Sequence, residues 1–433
     1  MKYRTLSAPV SVQIEVTELC DNCCRHCYNS FRHHDCPLKT LSFDEIGILV
    51  EQLASAKVLR VGITGGEPLL VWNRTKYLIE RLRTKGIYVS INTNLTHFTQ
   101  EIGEELLRLS VKGILTSLIS ADRQLHDWVT QNEGSWEKTI AGIKLAVNMG
   151  FRVSLNMVLT QWNFEHLEQT GDLAGQLGVA KFGATRACEP CSMSCDISPY
   201  VITIDQLRHS LRVLYELKER WEYKVDVFEH YPWCALQDVG NYQYLSRRSC
   251  TAGLTSATVG ADGQIRPCGH APSTYGNVLT EGLQTCWLRM EEWRNRSYPK
   301  VCQNCKYLGK CSGGCRVDAA NSKEGKDRHC EGEVAVISTP VKKQGKVDTS
   351  GSFVFANEVI FREEAFGGLV GVGYGGYSLL GHETFQLLRE LANSSFTIDT
   401  LISEYGVKAE EARSFLAKLL TQKIIKRREN HGT

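Results

Sequence analysis

Between Ser11 and Ala187, short apolar runs alternate with longer amphipathic stretches. The first run, Val12–Val16, alternates apolar and polar residues as a half-buried strand does. The other strand candidates are Val58–Ile63, Ile87–Asn92, Gly113–Ile119 and Arg152–Leu159. The helix candidates are Ser42–Ala54, Trp72–Lys85, Gln100–Leu109, Trp136–Asn148 and Phe164–Leu177. This alternation predicts βα units and a parallel sheet, and about six units without a closing pair predict an α/β fold of the partial (β/α)6 TIM-like barrel type.

The size and charge of the chain exclude several classes of protein. Its 433 residues are enough for two or three domains. A formal net charge of +2 argues against a general nucleic-acid or membrane-surface binder. The sequence has no apolar run of about 18 residues that would predict a transmembrane helix. Residues Met1–Val10 lack the apolar core of a signal peptide, so we expect a cytoplasmic protein.

The 17 cysteines are unevenly distributed. They lie at 20–36, 188–195, 234–268 and 286–330, and the sequence has none at 37–187 or after 330. In a long chain without an export signal, cysteines favour metal binding or catalysis over a disulfide framework. Because metal ligands cluster and core cysteines scatter, this distribution predicts metal sites.

Composition divides the chain into three predicted domains. Residues 1–229 contain the βα units. Residues 230–340 are rich in Cys, Gly and Arg and poor in long apolar runs, so bound metal would have to supply part of their folding free energy. After a polar linker, Pro340–Ser352, residues 345–433 resume a globular pattern that predicts a small winged-helix-like domain. Its elements are the strand Phe353–Phe361 and the helices Glu383–Ala392, Ile398–Tyr405 and Glu410–Lys423.

The first cysteine group has the spacing CxxxCxxC. Cys20, Cys24 and Cys27 offer three thiolates, soft donors that suit a [4Fe–4S] cluster and leave one of its irons without a protein ligand. Cys23 interrupts the spacing, and we expect it to be a bystander. The alternatives are a zinc site or free thiols, but zinc usually takes four ligands from paired CxxC motifs.

A second motif, Thr64-Gly65-Gly66-Glu67-Pro68, follows the second predicted strand. Its glycines allow a ligand to approach the backbone closely, and Glu67 and the nearby carbonyls could accept hydrogen bonds from an ammonium group. Alone, such a loop would be only a turn. With the cysteine triplet at the end of the preceding strand, the arrangement is specific.

Together these motifs resemble the radical S-adenosylmethionine superfamily. The resemblance implies that Cys20, Cys24 and Cys27 hold a [4Fe–4S] cluster whose open iron binds the amino and carboxylate groups of S-adenosylmethionine. It also implies that the Gly65–Pro68 loop holds the methionyl amino group.

Further residues show a weaker likeness to the same superfamily. Ser120, Asp122, His126 and Asp127 are similar to the segment that reaches the ribose and the methionine carboxylate, and Asn156 is another implied contact. The alternative is that these residues serve only as turn and cap residues. Relatives often have an arginine after this segment, but residues 129–132 here are Val-Thr-Gln-Asn.

The second large cysteine group resembles the seven-cysteine SPASM extension of that superfamily. Its members are Cys250, Cys268, Cys302, Cys305, Cys311, Cys315 and Cys330, with Gly263 between the first two. The resemblance implies two auxiliary [4Fe–4S] clusters, three in all with the first. One auxiliary cluster would use Cys250, Cys268 and Cys315, and the other would use the remaining four. A zinc ribbon or a disulfide knot is the alternative.

The first auxiliary cluster lacks a fourth ligand in this pattern. Cys234 is the nearest upstream candidate; otherwise one iron is open and could bind a substrate atom. The group Cys188-x2-Cys191-x3-Cys195 could supply the missing ligand, bind another metal, face the substrate or consist of plain thiols. We expect Cys36 and Cys286 to be structural. Tyr244 and its neighbours offer no cysteine.

Residues 345–433 resemble the PqqD-like domain that recognises precursor peptides. In that family a leader peptide adds as a strand to a sheet edge and packs against the last helix. The alternative is a DNA-binding winged helix, which the basic residues Lys423, Lys426, Arg427 and Arg428 would serve.

These resemblances together predict an enzyme that modifies a ribosomally synthesised peptide held by its leader. A 5′-deoxyadenosyl radical would abstract hydrogen from a peptide carbon inside a barrel that excludes water, leading to crosslinking or another oxidation. An external donor of the flavodoxin or ferredoxin type would supply electrons. The alternatives are sulfatase maturation, haem-precursor decarboxylation, or an iron–sulfur DNA-binding regulator, which would leave the Gly65–Pro68 loop unexplained.

Overall fold

The computed structural model describes residues 5–29, 37–188, 200–221, 224–236, 249–295, 298–332 and 347–428. Its main element is a nine-stranded sheet. The strands are β1 Ser11–Glu15, β2 Arg60–Thr64, β3 Tyr88–Asn92, β4 Gly113–Ser117, β5 Arg152–Leu159, β6 Lys181–Arg186, β7 Lys224–Val227, β8 Ser256–Val259 and β9 Ile265–Arg266. They lie in the order β7-β6-β5-β4-β3-β2-β1-β8-β9, parallel except for the pair β8–β9.

Helices connect the strands of this sheet. They are α1 Phe43–Ser55, α2 Trp72–Thr84, α3 Gln100–Arg108, α4 Arg123–Thr130, α5 Ser135–Asn148, α6 Leu167–Gln176 and α7 Ile204–Arg220. Capping boxes at Ser42 and Thr203 satisfy the first amides of α1 and α7. Apolar helix faces and strand residues form one large core. The predicted α/β fold with a parallel sheet is confirmed. In the described ranges no helix is both long and apolar enough to cross a membrane.

The structure differs from the prediction in two places. The cysteine-rich region contributes β8, which pairs in parallel with β1, so Ser11 lies opposite Ser256 and Ile14 opposite Val259. The eight-residue helix α4, capped by Asp122, lies where the sequence predicts no helix. Its few turns show too little periodicity to be recognised in the sequence.

The cysteine-rich region shares the core of the barrel. Its described helices are α8 Val278–Glu281, α9 Leu283–Arg289, α10 Glu291–Arg294, α11 Leu308–Cys311 and α12 Arg316–Asn321. Trp287 is fully buried, and its indole nitrogen donates to the Leu6 carbonyl at 2.7 Å. Gln52 on α1 donates to the Val278 carbonyl at 2.8 Å. These contacts fix the region against β1 and α1.

Residues 353–428 form a second packed unit with its own apolar core. It consists of β10 Phe353–Phe355, β11 Ile360–Glu364, β12 Gly367–Gly371, β13 Tyr377–Gly381, α13 His382–Leu391, α14 Ile398–Ser403, α15 Ala409–Thr421 and β14 Ile425–Arg427. Strands β11, β12 and β13 form an antiparallel sheet, and β10 pairs with β14. The single strand predicted at Phe353–Phe361 is wrong: Glu358, at φ +63°, lies between two separate strands.

The small sheet lies between its own helices and the barrel. Phe361, Val370 and Leu380 pack on the helices, whereas Leu369 packs on Leu6, Val10 and Leu59 of the barrel. This alternation follows the two-residue period of a strand. Because Val10 and Leu59 precede β1 and β2, the C-terminal unit covers the side of the barrel where the strands begin.

A buried arginine fastens this contact. Arg362 donates to the carbonyls of Ala8 and Pro9, each at 2.9 Å, and to the Glu364 carboxylate at 2.8 Å. Glu364 also accepts from the Ser7 amide at 2.7 Å. Both side chains are almost fully buried, so each charge depends on these partners.

We therefore predict that Arg362→Ala detaches the C-terminal unit locally. The change leaves the Glu364 charge and two carbonyls buried without partners, which costs about 3 kcal/mol. Hydrogen exchange of peptides spanning residues 7–10 and 360–364 should speed up by about two orders of magnitude.

Arg389→Ala is the matched control for this change. Arg389 pairs with Glu363 at the surface, where both side chains are largely exposed. Such a pair contributes about 1 kcal/mol or less. Equal effects of the two substitutions would contradict the role given to Arg362.

Candidate functional site

The first cysteine motif occupies the loop that follows β1. Cys20, Cys24 and Cys27 are partly exposed there, and Cys23 is more exposed than any of them. The Cys27 amide donates to the Cys24 carbonyl at 3.0 Å, which makes the second half of the motif a tight turn.

The end of α4 holds this loop in shape. The amides of Cys23 and Arg25 donate to the carbonyls of Thr130 and Val129, each at 2.9 Å. Asn132 donates from its side chain to Asn22 Oδ1 at 2.8 Å. The segment 129–132, where relatives often have an arginine, therefore supports the cysteine loop in this chain.

The glycine loop after β2 lies directly on the cysteine loop. A Cβ on Gly65 would come within 2.3 Å of the Thr17 carbonyl oxygen, and one on Gly66 within 2.0 Å of the Leu19 carbonyl oxygen. Gly65 also has φ +140°. The Gly66 amide donates to Thr17 at 2.7 Å, and Asn29 donates to the Gly65 carbonyl at 3.0 Å. Any side chain at either glycine would push the two loops apart.

Glu67 braces the glycine loop against the end of β3. Its carboxylate accepts from the Leu69 amide at 2.9 Å, the Thr93 hydroxyl at 2.7 Å and the Asn94 amide at 2.7 Å. Burial raises its pKa from 4.5 to about 7, although these hydrogen bonds act in the opposite direction. Both carboxylate oxygens are thus engaged by the chain itself. Pro68, the next candidate, begins a 3₁₀ turn and is buried.

Asn94 also joins the cysteine motif to this brace, a role that the sequence analysis missed. Its side chain donates to Asp21 Oδ1 at 2.7 Å, and the Thr96 hydroxyl donates to Asp21 Oδ2 at 2.6 Å. Burial raises the pKa of Asp21, but these hydrogen bonds outweigh burial and keep it below its ordinary value. The loops after β1, β2 and β3 are therefore one hydrogen-bonded unit.

The candidates after β4 are engaged in local structure. Asp122 caps α4 by accepting from the Leu125 amide at 2.7 Å, and the Asp122 amide donates to Ser120 Oγ at 2.9 Å. Asp127 accepts from the Trp136 amide at 2.8 Å. The structure does not bring these three side chains onto the glycine loop by any hydrogen bond that it describes.

Several buried polar atoms in the barrel, two of them in the cysteine loop, lack a partner in the described part of the chain. They include His26 Nδ1, His126 Nε2, Asn29 Oδ1 and Asn156 Oδ1. Burial lowers the pKa of His26 and of His126 to about 4, so both rings are neutral at pH 7. Unpaired buried polar atoms cost free energy and are expected where a bound molecule supplies the partner. These residues therefore fit a polar cofactor beside the cysteine loop.

Cys250, Cys268 and Cys315 lie close enough to one another to interact electrostatically. Burial and the two neighbouring thiols raise the pKa of Cys268 to about 12. Cys188 joins them, because its thiol and that of Cys315 are hydrogen-bonded to each other.

A second group of five cysteines lines one cavity: Cys234, Cys302, Cys305, Cys311 and Cys330. Cys330 Sγ lies 3.6 Å from Cys234 Sγ and 3.7 Å from Cys302 Sγ. The Trp233 amide donates to Cys311 Sγ at 3.3 Å. Cys234, the candidate fourth ligand of the first auxiliary group, lies instead with the second group, beside Cys330 and Glu331.

Cys286 is fully buried in the core. Cys36, Cys191, Cys195 and Tyr244 lie outside the described residues. Among the residues that are described, no three or more Cys, His, Asp or Glu side chains are placed to hold a single metal ion. A cubane is a different case, because its four irons separate the ligand sulfurs more widely than one ion does.

Aromatic and charged residues connect the first motif to the first auxiliary group. Tyr28, next to Cys27, stacks on His270 with ring centroids 4.2 Å apart. Glu15, at the end of β1, forms an ion pair with Arg266, two residues before Cys268. Burial raises the pKa of Glu15 to about 7, and Arg266 opposes this shift.

Two family models match the chain. Residues 14–174 match the Radical SAM superfamily, and residues 250–306 match SPASM, an iron–sulfur cluster-binding domain. The two matches cover the cysteine loop, the glycine loop and the first four cysteines of the second large group, Cys250, Cys268, Cys302 and Cys305.

Curated relatives and a solved structure extend these matches. The AdoMet-dependent heme synthase of Methanosarcina barkeri is 27% identical over 72% of the chain and 93% of the relative. The mycofactocin maturase MftC of Mycolicibacterium smegmatis is 26% identical over 72% of the chain and 79% of the relative. Streptococcus suis SuiB bound to precursor peptide SuiA superposes with a TM-score of 0.62 at 19% identity over 76% of each chain, a likeness of fold.

The raised pKa of Glu67 predicts a pH dependence for the glycine loop. When the loop opens, the carboxyl releases its proton near pH 4.5, whereas the closed loop keeps it until about pH 7. The closed loop is therefore favoured at low pH, and on the order of 3 kcal/mol of this preference is lost as the pH rises from about 5 to about 7. Hydrogen exchange of the Leu69 and Asn94 amides, corrected for intrinsic rates, should show this loss of protection.

Glu67→Gln removes the titrating group and should make the protection independent of pH across that range. Glu104→Gln, on the exposed face of α3, is the control and should keep the dependence of protection on pH. If the protection still depends on pH in Glu67→Gln, another group causes the dependence.

Proposed function

We propose a specific function for this chain. It contains a radical SAM domain and a SPASM domain, and it is thus a radical S-adenosylmethionine enzyme with iron–sulfur clusters. It generates a 5′-deoxyadenosyl radical to crosslink or otherwise oxidise a ribosomally synthesised peptide that it binds through a leader. The observation that carries the proposal is the C-terminal unit, in which β13 is an edge strand whose one strand partner among the described residues is β12. Two comparisons support it: MftC is a maturase, and SuiB binds a precursor peptide.

We propose that Cys20, Cys24 and Cys27 hold the [4Fe–4S] cluster that binds S-adenosylmethionine. When bound, the cluster supplies the electron that cleaves the cofactor. Gly65 and Gly66 let the backbone come close to the methionyl group, and Glu67 keeps that backbone in place. Asn156 Oδ1, which is buried on β5 and has no partner among the described residues, would accept a hydrogen bond from the cofactor.

The remaining named contacts have supporting roles in this proposal. Ser120 and Asp122 shape the turn that starts α4, and the end of α4 carries the cysteine loop. The rings of His26 and His126 are neutral at pH 7, so they add no charge to the site and offer ring nitrogens to a bound cofactor. An external flavodoxin- or ferredoxin-type protein would supply electrons.

The two edges of the small sheet differ in what covers them. At the β11 edge, the Phe361 carbonyl accepts from Lys57 of the barrel at 2.9 Å. At the β13 edge, the Tyr377 carbonyl accepts from the Gln422 side chain at 2.6 Å and so points away from β12. Alternate residues of a strand point the same way, so Leu379 and Gly381 turn their backbone groups to this edge. We propose that the leader adds here, between β13 and the end of α15, as PqqD-like domains bind leaders.

The position of this edge constrains the substrate. The C-terminal unit lies where the barrel strands begin, and the cofactor loops lie where they end. A five-residue strand such as β1 spans about 17 Å. At least about five extended residues must therefore separate the leader segment from the modified residue.

Other functions leave parts of this arrangement without a purpose. The similarity to the heme synthase favours haem-precursor decarboxylation, and sulfatase maturation uses related chemistry. Neither function requires a sheet edge that binds a leader strand. A DNA-binding regulator would not need the glycine loop, and Arg427, one of its basic candidates, is paired with Asp348. A regulator would also form no 5′-deoxyadenosine on anaerobic reduction with S-adenosylmethionine.

Gly381→Pro tests the proposed edge directly. Gly381 has φ −69°, which proline adopts, and a Cβ there meets no atom within 4 Å. The change removes one outward N–H donor, so binding of the short peptides encoded beside the gene should weaken about five- to tenfold. Modification of those peptides should fall with it, as measured by mass spectrometry, while 5′-deoxyadenosine formation without peptide stays constant.

Gly381→Ala keeps the N–H group and serves as the control. It should bind the same peptides as the unaltered chain does. If proline and alanine at this position behave alike, the leader does not add to β13.

A further inference from the structure

We infer that Cys188, at the end of β6, is the fourth cysteine ligand of the first auxiliary cluster, together with Cys250, Cys268 and Cys315. The inference depends on the SPASM domain and not on the identity of the substrate. It assigns a ligand from the barrel to a cluster whose other three ligands lie in the cysteine-rich region.

The four thiols lie at one place in the structure. Cys188 is 8% exposed, and its thiol is hydrogen-bonded to that of Cys315. Cys250 and Cys268 lie close enough to Cys315, and to each other, to interact electrostatically. Four soft donors that converge in a buried position match the all-cysteine ligation of a [4Fe–4S] cluster.

The backbone on both sides of the Cys188–Cys315 contact is fixed. Arg186, two residues before Cys188, donates to both oxygens of Asp327, at 3.0 and 3.2 Å. Asp327 in turn accepts from the Cys315 amide at 2.8 Å. The Ala187 amide donates to the Leu159 carbonyl at 2.9 Å, which keeps the chain in the sheet up to the cysteine. Cys188 is therefore brought to Cys315 by a buried ion pair.

Cys234, the other candidate, is engaged elsewhere. Its sulfur lies 3.6 Å from Cys330 Sγ and accepts from the Glu331 amide at 3.3 Å. It lines the cavity of the second auxiliary group. Cys234 therefore lies with the second auxiliary group, whereas Cys188 lies at Cys315 of the first.

This ligation has a chemical consequence. With four thiolates, the first auxiliary cluster has no open iron for a substrate thiolate or another heteroatom. Its part in the reaction is then electron transfer, and its cysteines join the end of β6 to the cysteine-rich region.

The test uses the full chain with its clusters reconstituted anaerobically. In a background of Cys20→Ala, Cys24→Ala and Cys27→Ala, the open iron of the first motif is removed and about eight irons per chain should remain. ¹³C-cyanide is then added, and its coupling to a cluster is measured by electron–nuclear double resonance of the reduced protein. With Cys188 intact, no cyanide should bind.

In the same background, Cys188→Ala should leave one iron of the first auxiliary cluster without a cysteine ligand. That iron either binds cyanide or is lost, and its loss lowers the iron content. Both outcomes change the Mössbauer spectrum. Cys188→Ser offers an oxygen ligand and preserves the fold if the alanine variant does not. It should keep the iron content and alter the spectrum of a single cluster.

Cys286→Ala and Cys234→Ala are the controls. Cys286 is fully buried outside both groups, and its loss should leave the spectra unchanged. Cys234→Ala should leave the first auxiliary cluster closed to cyanide. The inference is overturned if cyanide binds while Cys188 is present, if the Cys188 variants leave the spectra unchanged, or if Cys234→Ala is the change that opens the cluster.

Discussion

A buried ion pair between Arg186 and Asp327 determines where the cysteine-rich region lies on the barrel. The arginine side chain is 2% exposed and the aspartate is not exposed at all. Burial would raise the pKa of Asp327, but Arg186 keeps it below its ordinary value, so both groups stay charged. Charges buried in this way persist only when each is paired. The contact holds one end of the region at β6, while β8 holds the other end beside β1. The region is thereby fixed to both sides of the open sheet.

The parallel sheet explains why the first site forms where it does. Parallel strands end on the same side, so the loops after β1, β2 and β3 meet there. The contacts are close: Gly66 has no room for a Cβ beside the Leu19 carbonyl. The glycine motif is therefore a packing requirement of the cysteine loop as well as a place for a ligand. Glu67 and Asp21, both held by Asn94, make the three loops one rigid unit.

Local patterns in the sequence were sufficient for part of this structure. The βα alternation and the spacing of Cys302, Cys305, Cys311 and Cys315 are short-range signals, and each corresponds to a local structure. The Cys188–Cys315 contact is not local, because it depends on an ion pair between a barrel strand and a distant loop. Cys234 was placed by its nearness in sequence, which does not measure nearness in space. Arg362 has the pattern of an exposed strand residue, and it is buried only because the barrel covers that face.

We propose leader binding where the barrel strands begin and radical chemistry where they end, so one extended peptide must reach both. The most direct measurement of its central claim uses a perdeuterated precursor peptide with S-adenosylmethionine and reductant under anaerobic conditions. The account predicts 5′-deoxyadenosine that carries deuterium taken from the peptide, together with a peptide of altered mass. Unlabelled 5′-deoxyadenosine beside an unchanged peptide would contradict it.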